Sequence, residues 1–250
     1  MRFEIQRADT WKRISAFLFD VIMLMIVAVG FAAILSAVLN YDSHVEKYDA
    51  IKTEYYEKYN IDLETPEDQL TQEQKQARED ANKAFEEDTR AIFEYNMLIN
   101  LALIIISFST LISYLILEVT LPHFMKYGRT MGKRVFGLAV IRTNGVRADG
   151  VAFFIRTIIG KYVMETMVPI YLIIMTLFSD AGIIGPVVIL LIVALEIFTV
   201  FYTKTRSMIH DLVSDTVVVD YASQMIFETE DDLVQYKTRI HEEIANKQEY

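Results

Sequence analysis

The chain has 250 residues, 53% of them hydrophobic, and a mean hydropathy of +0.26. This composition is more apolar than that of an ordinary soluble domain, and it predicts an integral membrane protein. Because the sequence contains no cysteine, disulfides, thiolate nucleophiles and cysteine-ligated metal centres are excluded. The formal charge of −10 argues against a nucleic-acid partner, which would require a basic surface.

Four apolar segments are each long enough to cross about 30 Å of hydrocarbon as a helix that rises about 1.5 Å per residue. They predict an all-α membrane fold with four transmembrane helices, at residues 14–39, 97–121, 162–178 and 182–202. The chain then divides into an N-terminal arm with the first span (1–39), a first loop (40–96), the second span (97–121), a second loop (122–161), the third and fourth spans (162–202) and a C-terminal segment (203–250). Every span should contact membrane lipids.

Basic residues are concentrated next to one end of the predicted spans. The N-terminal arm carries four Arg or Lys residues, and the second loop carries eight against the single acid Asp149. Residues 40–94 of the first loop hold seven basic against sixteen acidic residues. Since positively charged flanks stay in the cytoplasm, we expect a multi-pass cell-membrane protein with both termini cytoplasmic and the first loop outside.

The acidic first loop is too long for a structureless connector. Aromatic, apolar and alanine side chains recur at helical spacing over residues 45–59 and 77–91, which predicts a long extracytoplasmic helical hairpin. Thr65 followed by Pro66 is typical of a helix start, with Thr65 as the N-cap of the second helix. The hairpin is a docking surface, an acidic vestibule that concentrates cations, or a solvated helix pair. The acidic tail is also helix-prone, from Glu228 onward.

The cytoplasmic segments contain a signal for a small β element. A β-branched run predicts a strand at Leu138 to Arg142, and a second run at Thr216 to Val219 is its expected partner. Asn144-Gly145 is the commonest sequence for a two-residue hairpin turn, in which both residues take a positive φ. The predicted sheet would tie the fourth span to the second loop.

Two apparent catalytic motifs do not withstand inspection. Residues 128–134 resemble a phosphate-binding loop, but three residues rather than four separate the glycines, and Arg134 replaces the Ser or Thr that would reach magnesium. His210-Asp211 invites a metal-site interpretation, but the other histidines lie in separate segments without ligand spacing. We therefore expect no catalytic residue, no cofactor and no metal site, and we expect that the protein is not an enzyme.

Each predicted span places one carboxylic acid in its cytoplasmic half: Asp20, Glu118, Glu165 and Glu196. A charged carboxylate within a span costs roughly 2.5 to 3.5 kcal/mol, so these groups should be protonated, paired or exposed to water. One interpretation is proton binding in competition with a cation, which gives exchange chemistry. The other is that the acids pair with basic residues near the same interface and only orient the helices, the candidates being Arg13, Arg156, Lys161 and Lys204.

Arg13 lies at the start of the first span and Asp211 just beyond the fourth. Arg13 and Asp20 are seven residues apart, or about 10 Å along the helix axis, so they should not touch. We expect Arg13 to pair with Asp211 instead, and we expect Arg13, Asp211 and His210 to form a structural gate at the cytoplasmic end.

These residues are similar to the RDD family of small bacterial membrane proteins, named for one arginine and two aspartates. Arg13 and Asp20 match the arginine and the first aspartate, Asp211 matches the second aspartate, and residues 130–138 resemble the family's Gly-Lys-Arg segment. Asp215 departs from the usual glycine, and the first loop and the acidic tail have no counterpart in the family pattern. The resemblance implies a membrane protein for which transport is proposed, with sodium/proton exchange suggested for some members.

Two functions are consistent with the sequence. The first is a transporter that exchanges a small monovalent cation for protons, with Asp20 as the principal carboxylate and Glu196 as the second. Because four spans are few for a complete pathway, this function predicts a homo-oligomer. The second is a membrane scaffold or accessory subunit that binds protein partners through the outer hairpin and the cytoplasmic tail, with the buried acids in structural roles.

Overall fold

The structure is a computed structural model that describes residues 5–62, 65–66, 70–178, 182–203 and 206–248. Within these residues, four helices are long and apolar enough to cross a membrane: Thr10–Val38, Thr89–Phe124, Gly150–Leu177 and Ile184–Tyr202. The predicted fold class is confirmed, both in its four spans and in its small sheet. The predicted tight connection between the third and fourth spans, at 179–181, lies outside the described residues.

The α-helices in chain order are α1 (Thr10–Val38), α2 (Tyr41–Lys58), α3 (Gln72–Glu86), α4 (Thr89–Tyr114), α5 (Leu121–Phe124), α6 (Met131–Val135), α7 (Gly150–Phe154), α8 (Val168–Phe178), α9 (Ile184–Tyr202), α10 (Ile209–Val213) and α11 (Glu230–Gln248). Two π-helices interrupt the spans, π1 (Leu115–Thr120) and π2 (Ile155–Met167), and a short 3₁₀ turn covers Lys126–Gly128. The strands are β1 (Leu138–Arg142) and β2 (Thr216–Asp220).

The second and third spans begin earlier than hydropathy indicates. The helix of the second span starts at Thr89 rather than at residue 97, and that of the third at Gly150 rather than at residue 162. The start at Gly150 has a local cause, since the side chain of Asp149 accepts a hydrogen bond from the Ala152 N–H at 2.8 Å and caps the helix. Hydropathy detects only the apolar part of a helix, and helical hydrogen bonding continues into polar sequence.

The described residues form two compact units. Residues 28–109 make up one, here called the hairpin unit, and the remaining described residues make up the other, the sheet unit. In the hairpin unit α2 packs against α3, with the rings of Tyr48 and Phe85 edge-on at 5.2 Å and the Tyr56 hydroxyl donating to Asn82 at 2.6 Å. These contacts confirm a helical hairpin.

The predicted start of the second hairpin helix is wrong. α3 begins at Gln72, and its N-cap is Thr71 rather than Thr65. The Thr71 hydroxyl accepts from the Gln74 N–H while the Gln74 side chain accepts from the Thr71 N–H, which satisfies two free amides at once. Thr65 instead donates to Asp62 at 3.0 Å, and the acids at 67 and 68 lie outside the described residues.

Replacing Thr71 with alanine is expected to destabilise α3 locally by about 1 kcal/mol, because the Gln74 N–H loses its acceptor, the Thr71 hydroxyl. Hydrogen exchange of the first-turn amides of α3 measures this effect directly. Thr65→Ala is the matched control and should leave α3 exchange unchanged. Equal acceleration of exchange in the two variants would contradict the assignment of the cap.

The two predicted strands pair antiparallel, with Leu138 opposite Asp220 and Arg142 opposite Thr216. The alternating side chains of β1 and β2 are buried on both faces of the sheet. One face packs against Ala16 of α1. The sheet therefore connects the first span to the segment that follows the fourth.

The turn after β1 differs from the predicted two-residue turn. The Gly145 N–H donates to the Arg142 carbonyl at 2.9 Å, and the Arg142 N–H donates to the Val146 carbonyl at 2.8 Å. This pattern is a three-residue loop, in which only the glycine needs a positive φ, here 93°. Asn144 is not in the left-handed region; its side chain accepts from the Val146 N–H at 3.0 Å. The side chain thus stabilises the turn without backbone strain.

α11 confirms the helix predicted for the acidic tail. The Thr229 hydroxyl caps it by accepting from the Asp232 N–H at 3.2 Å, and the Asp232 carboxylate accepts from the Thr229 N–H at 3.0 Å. Leu233 is buried against Val146 and Phe227, which docks the start of the helix beside the sheet.

Candidate functional site

The two π-helices carry four of the charged side chains of the sheet unit's spans. π1 carries Glu118, and π2 carries Arg156, Lys161 and Glu165. π-helices are rare and are frequent at functional sites. Gly160 of π2 allows α10 to approach closely, since a Cβ at this position would lie 2.5 Å from the Cβ of His210. This approach brings His210 and Asp211 to the charged face of π2.

Asp211 is fully buried and is held by two arginines. Its Oδ1 lies 2.7 Å from Arg156 Nη2 and 2.9 Å from Arg156 Nε, and its Oδ2 lies 3.6 Å from Arg13 Nη2. The predicted pairing of Arg13 with Asp211 is therefore present, but Arg156 makes the shorter contacts. Burial alone would raise the pKa of Asp211, and the neighbouring cations more than offset burial, so this pKa is held below its usual range.

His210 bridges the arginine and the acid of π2. Its Nε2 lies 3.0 Å from Arg156 Nη2, and its Nδ1 lies 2.8 Å from Glu165 Oε1. Because the Arg156 guanidinium can only donate hydrogen bonds, Nε2 of His210 must accept. The ring proton is therefore assigned to Nδ1, which donates to Glu165. Burial lowers the pKa of His210, although Asp211 and Glu165 act in the opposite direction. The ring is therefore a neutral link between Arg156 and Glu165.

Glu165 and Glu196 join the third and fourth spans. Their carboxyl groups lie next to each other. Glu165 also accepts from the His210 N–H at 3.0 Å, and Glu196 accepts from the Ile209 N–H at 3.4 Å. Two carboxylates in this position repel each other unless they share a proton or a cation lies between them.

Glu118 is paired with Lys161. The lysine ammonium donates to Glu118 Oε1, and both side chains are buried. This contact ties π1 of the second span to π2 of the third. The contact of Glu118 therefore agrees with the structural interpretation, in which the acid pairs with a basic residue.

Asp20 is held by the segment that starts α6. One of its oxygens accepts from the Thr130 hydroxyl at 2.5 Å, the other accepts from the Gly132 N–H at 2.8 Å, and Lys133 Nζ lies 3.6 Å away. A Cβ at Gly132 would lie 2.3 Å from the Ala16 carbonyl oxygen, so the close approach requires glycine. Burial lowers the pKa of Lys133 to about 8. The glycine-containing segment that fails as a phosphate loop thus binds an aspartate of the first span.

Three of the four predicted acids line one small cavity. Asp20, Glu118 and Glu165 contribute to its wall together with Lys161, and its volume is about 40 Å³. A water needs about 10 to 15 Å³ by this measure, so the cavity has room for a few waters or a small ion. Glu196 does not line the cavity, but it contacts Glu165. The spans therefore converge on a shared carboxylate site.

Acidification is expected to destabilise the sheet unit through His210. The pKa of the buried ring lies below the ordinary value of 6.5, so the unfolded state binds more protons as the pH falls below 6.5. Stability should fall by up to about 1.4 kcal/mol per pH unit between 6.5 and the lowered pKa. Unfolding in mixed micelles, followed by circular dichroism between pH 7.5 and 5, measures this slope.

His210→Asn should flatten the slope, since the asparagine amide still donates to Glu165 but does not titrate. His241→Asn, on the exposed face of α11, is the matched control. An unchanged slope in His210→Asn would assign the acid sensitivity to other groups.

The model of the RDD family matches residues 7–215, which is most of the chain. The chain belongs to the RDD family. No curated protein and no solved structure matches it. The match includes both π-helices, β1 and every residue of the carboxylate site, and it ends at the residue before β2. The protein is thus an RDD family membrane protein with four helices suited to span the bilayer.

The three residues that name the RDD family occupy two adjoining places. Arg13 contacts Asp211, and Asp20 contacts the start of α6. Sequence reasoning missed Thr130 and Gly132 as partners of Asp20, and it treated Arg156 only as one of several bases near the interface. Lys204, another proposed partner, lies outside the described residues. Among the residues that the structure describes, no group of three or more His, Asp or Glu side chains could hold a metal ion.

Proposed function

We propose that this RDD family protein exchanges a small monovalent cation for protons across the membrane. The observation that carries the proposal is the Glu165–Glu196 pair, two adjoining carboxyl groups beside a cavity that Glu165, Asp20 and Glu118 line. In this proposal the two groups share one proton, and a cation that enters the cavity competes with it for carboxylate oxygens. Competition for the same oxygens is the basis of exchange.

Glu165 differs from the other cavity acids in its partners. Glu118 faces Lys161, and Asp20 lies near Lys133, whereas the contacts of Glu165 are the neutral ring of His210 and the carboxyl of Glu196. Loss of the shared proton leaves two carboxylates next to each other, and a cation relieves their repulsion. We therefore assign proton exchange to Glu165 and Glu196.

Asp20 and Glu118 have supporting roles in this proposal. As the principal carboxylate, Asp20 would need to exchange its ligands, yet it accepts two short hydrogen bonds from the start of α6. We assign Asp20 and Glu118 to the cavity wall. We assign the gate to Arg13, Asp211 and His210, because their contacts join α1, α10 and π2.

Reconstitution into proteoliposomes tests the proposal. Under an imposed pH gradient, addition of Na⁺, K⁺ or Li⁺ should dissipate the gradient for at least one of these ions, and Glu165→Gln should reduce the flux to the level of protein-free liposomes. Glu242→Gln, an exposed acid of α11, is the matched control. Flux that Glu165→Gln leaves unchanged, or the absence of flux with all three ions, would overturn the proposal.

Four spans supply few walls for a complete pathway, so the transport proposal includes a homo-oligomer. Native mass spectrometry from neutral detergent gives the number of copies. A protein that is active and strictly monomeric would remove this part of the proposal.

A scaffold or accessory subunit is the second candidate, and the separate hairpin unit favours it. Residues 28–109 have their own packed aromatic side chains, and Arg90 lies between Asp88 at 2.8 Å and Glu54 at 3.1 Å. A folded acidic module of this kind suits the binding of a protein partner. Replacement of residues 42–94 by a short linker should abolish partner binding and retain flux if both candidates are correct. A variant without residues 42–94 that loses flux but still binds the partner would contradict the scaffold role.

A further inference from the structure

A second and larger cavity in the sheet unit is lined by an excess of positive charge. Its volume is about 250 Å³, and it lies among α1, α6, α9, α10, π2 and the sheet. Only two carboxylates, those of Asp20 and Asp211, contribute to its lining. The cationic side chains in the lining are Arg13, Lys133, Arg156, Lys161 and Arg206.

Lys161 is paired with Glu118, which lies outside this lining, and the two carboxylates of the lining do not balance the other four cations. Asp211 is already engaged by Arg156, and Asp20 by the start of α6. Arg13 donates to the backbone carbonyl of Arg206 at 2.6 Å, and both arginines line the cavity. An anion in the cavity would relieve the repulsion between these like charges.

Asp211 adds a requirement for a hydrogen-bond donor. Its Oδ2 is buried and has no hydrogen-bond partner among the described residues, since Arg13 Nη2 is 3.6 Å away. A buried acceptor without a donor costs about 1 to 3 kcal/mol. The suitable ligand therefore carries a hydroxyl or similar donor next to its negative charge.

The apolar part of the lining belongs to two membrane spans. Ile14 and Phe17 of α1 and Val200 and Phe201 of α9 contribute to it. Phe17 is 46% exposed and Phe201 is 76% exposed, so the apolar wall continues onto surface that contacts lipid in the membrane. The volume is smaller than the roughly 300 to 1,000 Å³ of sites for drug-sized ligands, which suits a headgroup whose chains lie outside.

We infer that this cavity binds the headgroup of an anionic phospholipid that carries a hydroxyl, as phosphatidylglycerol does. The phosphate contacts Arg13, Arg206 and Lys133, and a headgroup hydroxyl donates to Asp211 Oδ2. The acyl chains leave past Phe17 and lie along the spans. The site is separate in function from the exchange of protons and cations, although Asp20 and Lys161 line both cavities.

Thermal unfolding of the whole protein in neutral detergent, followed by circular dichroism, tests this inference. Dioleoylphosphatidylglycerol should raise the unfolding midpoint in a saturable manner, because a ligand that binds only the folded state stabilises it. Dioleoylphosphatidylcholine and inorganic phosphate at the same concentrations should not. An equal shift with phosphatidylcholine would overturn the inference in favour of general solvation by lipid, and a shift with inorganic phosphate would overturn it in favour of a free anion.

Lys133→Gln should weaken the apparent affinity for phosphatidylglycerol about tenfold, the equivalent of one charge-assisted hydrogen bond. Arg134→Gln is the matched control, since Arg134 is the next residue of α6, is exposed and does not line the cavity. If both variants lose the same affinity for phosphatidylglycerol, the effect comes from surface charge, and the inference of a site in the cavity is overturned. If Lys133→Gln does not fold, Arg206→Gln in the loop before α10 replaces it, with the same expected loss. The assay needs no ion gradient, so its outcome is independent of the flux measurement.

Discussion

Arg156→Met is expected to lower the free energy of unfolding by about 3 to 5 kcal/mol, the range for removal of one partner from a buried ion pair. Asp211 is 0% exposed and would keep Arg13 as its nearest cation, at 3.6 Å and without a hydrogen bond. His210 would lose the donor to its Nε2 at the same time. Urea unfolding in mixed micelles, followed by circular dichroism, measures the loss.

Two further variants separate the loss of the ion pair from the loss of side-chain volume. Arg13→Met should cost clearly less than Arg156→Met, because Arg13 makes only the longer contact with Asp211. The double variant Arg156→Met with Asp211→Asn should recover part of the stability, since the buried carboxylate that lost its main partner is no longer charged. Equal costs for the two arginine variants would show that Asp211 depends on Arg13 as much as on Arg156.

The spans were predictable because hydropathy reports directly on transfer of a helix into lipid. Their starts were not, since they depend on local caps such as that of Asp149, which hydropathy does not detect. β1 and β2 were predictable from their β-branched residues. The position of the Asn144-Gly145 turn was predicted correctly, but its type was not. The same two residues also suit a three-residue loop in which only the glycine has a positive φ.

The candidate site was predictable as a set of acids but not as a set of pairs. Helical depth placed all four acids in one half of the bilayer, yet Glu165 and His210 are 45 positions apart in sequence. The π-helices add a second obstacle, because a wider turn changes which side chains share a face, and a period of 3.6 residues no longer applies. The contact of Asp20 with Gly132 depends on the close approach of two backbones, which leaves no signal in composition.

The contacts divide the four acids of the spans into two groups. Glu118 and Asp20 lie beside lysines, as the structural interpretation requires, whereas Glu165 and Glu196 adjoin each other and have His210 and a backbone amide as their other partners. A single role for all four acids is therefore inconsistent with their surroundings. Our proposal of exchange rests on the second group, and the first group is open to a separate test.

Lys161→Met is expected to destabilise the protein by about 3 to 5 kcal/mol, because Glu118 then remains buried within a span without its partner. Replacement of both residues, Lys161→Met with Glu118→Leu, should recover most of this loss, since well-packed apolar residues often substitute for a buried ion pair at little cost. Unfolding in mixed micelles measures the three free energies. A double variant as unstable as Lys161→Met would contradict the pairing.

The same double variant decides what Glu118 contributes to exchange. If Glu118 only orients the helices, the refolded double variant should retain cation-dependent flux in proteoliposomes, with Glu165→Gln as the inactive reference. If Glu118 ligates the cation, flux should fall even though stability recovers, because the cavity has lost one of its three carboxylates. Stability and flux thus separate the two roles of a residue that lies both in an ion pair and in the cavity wall.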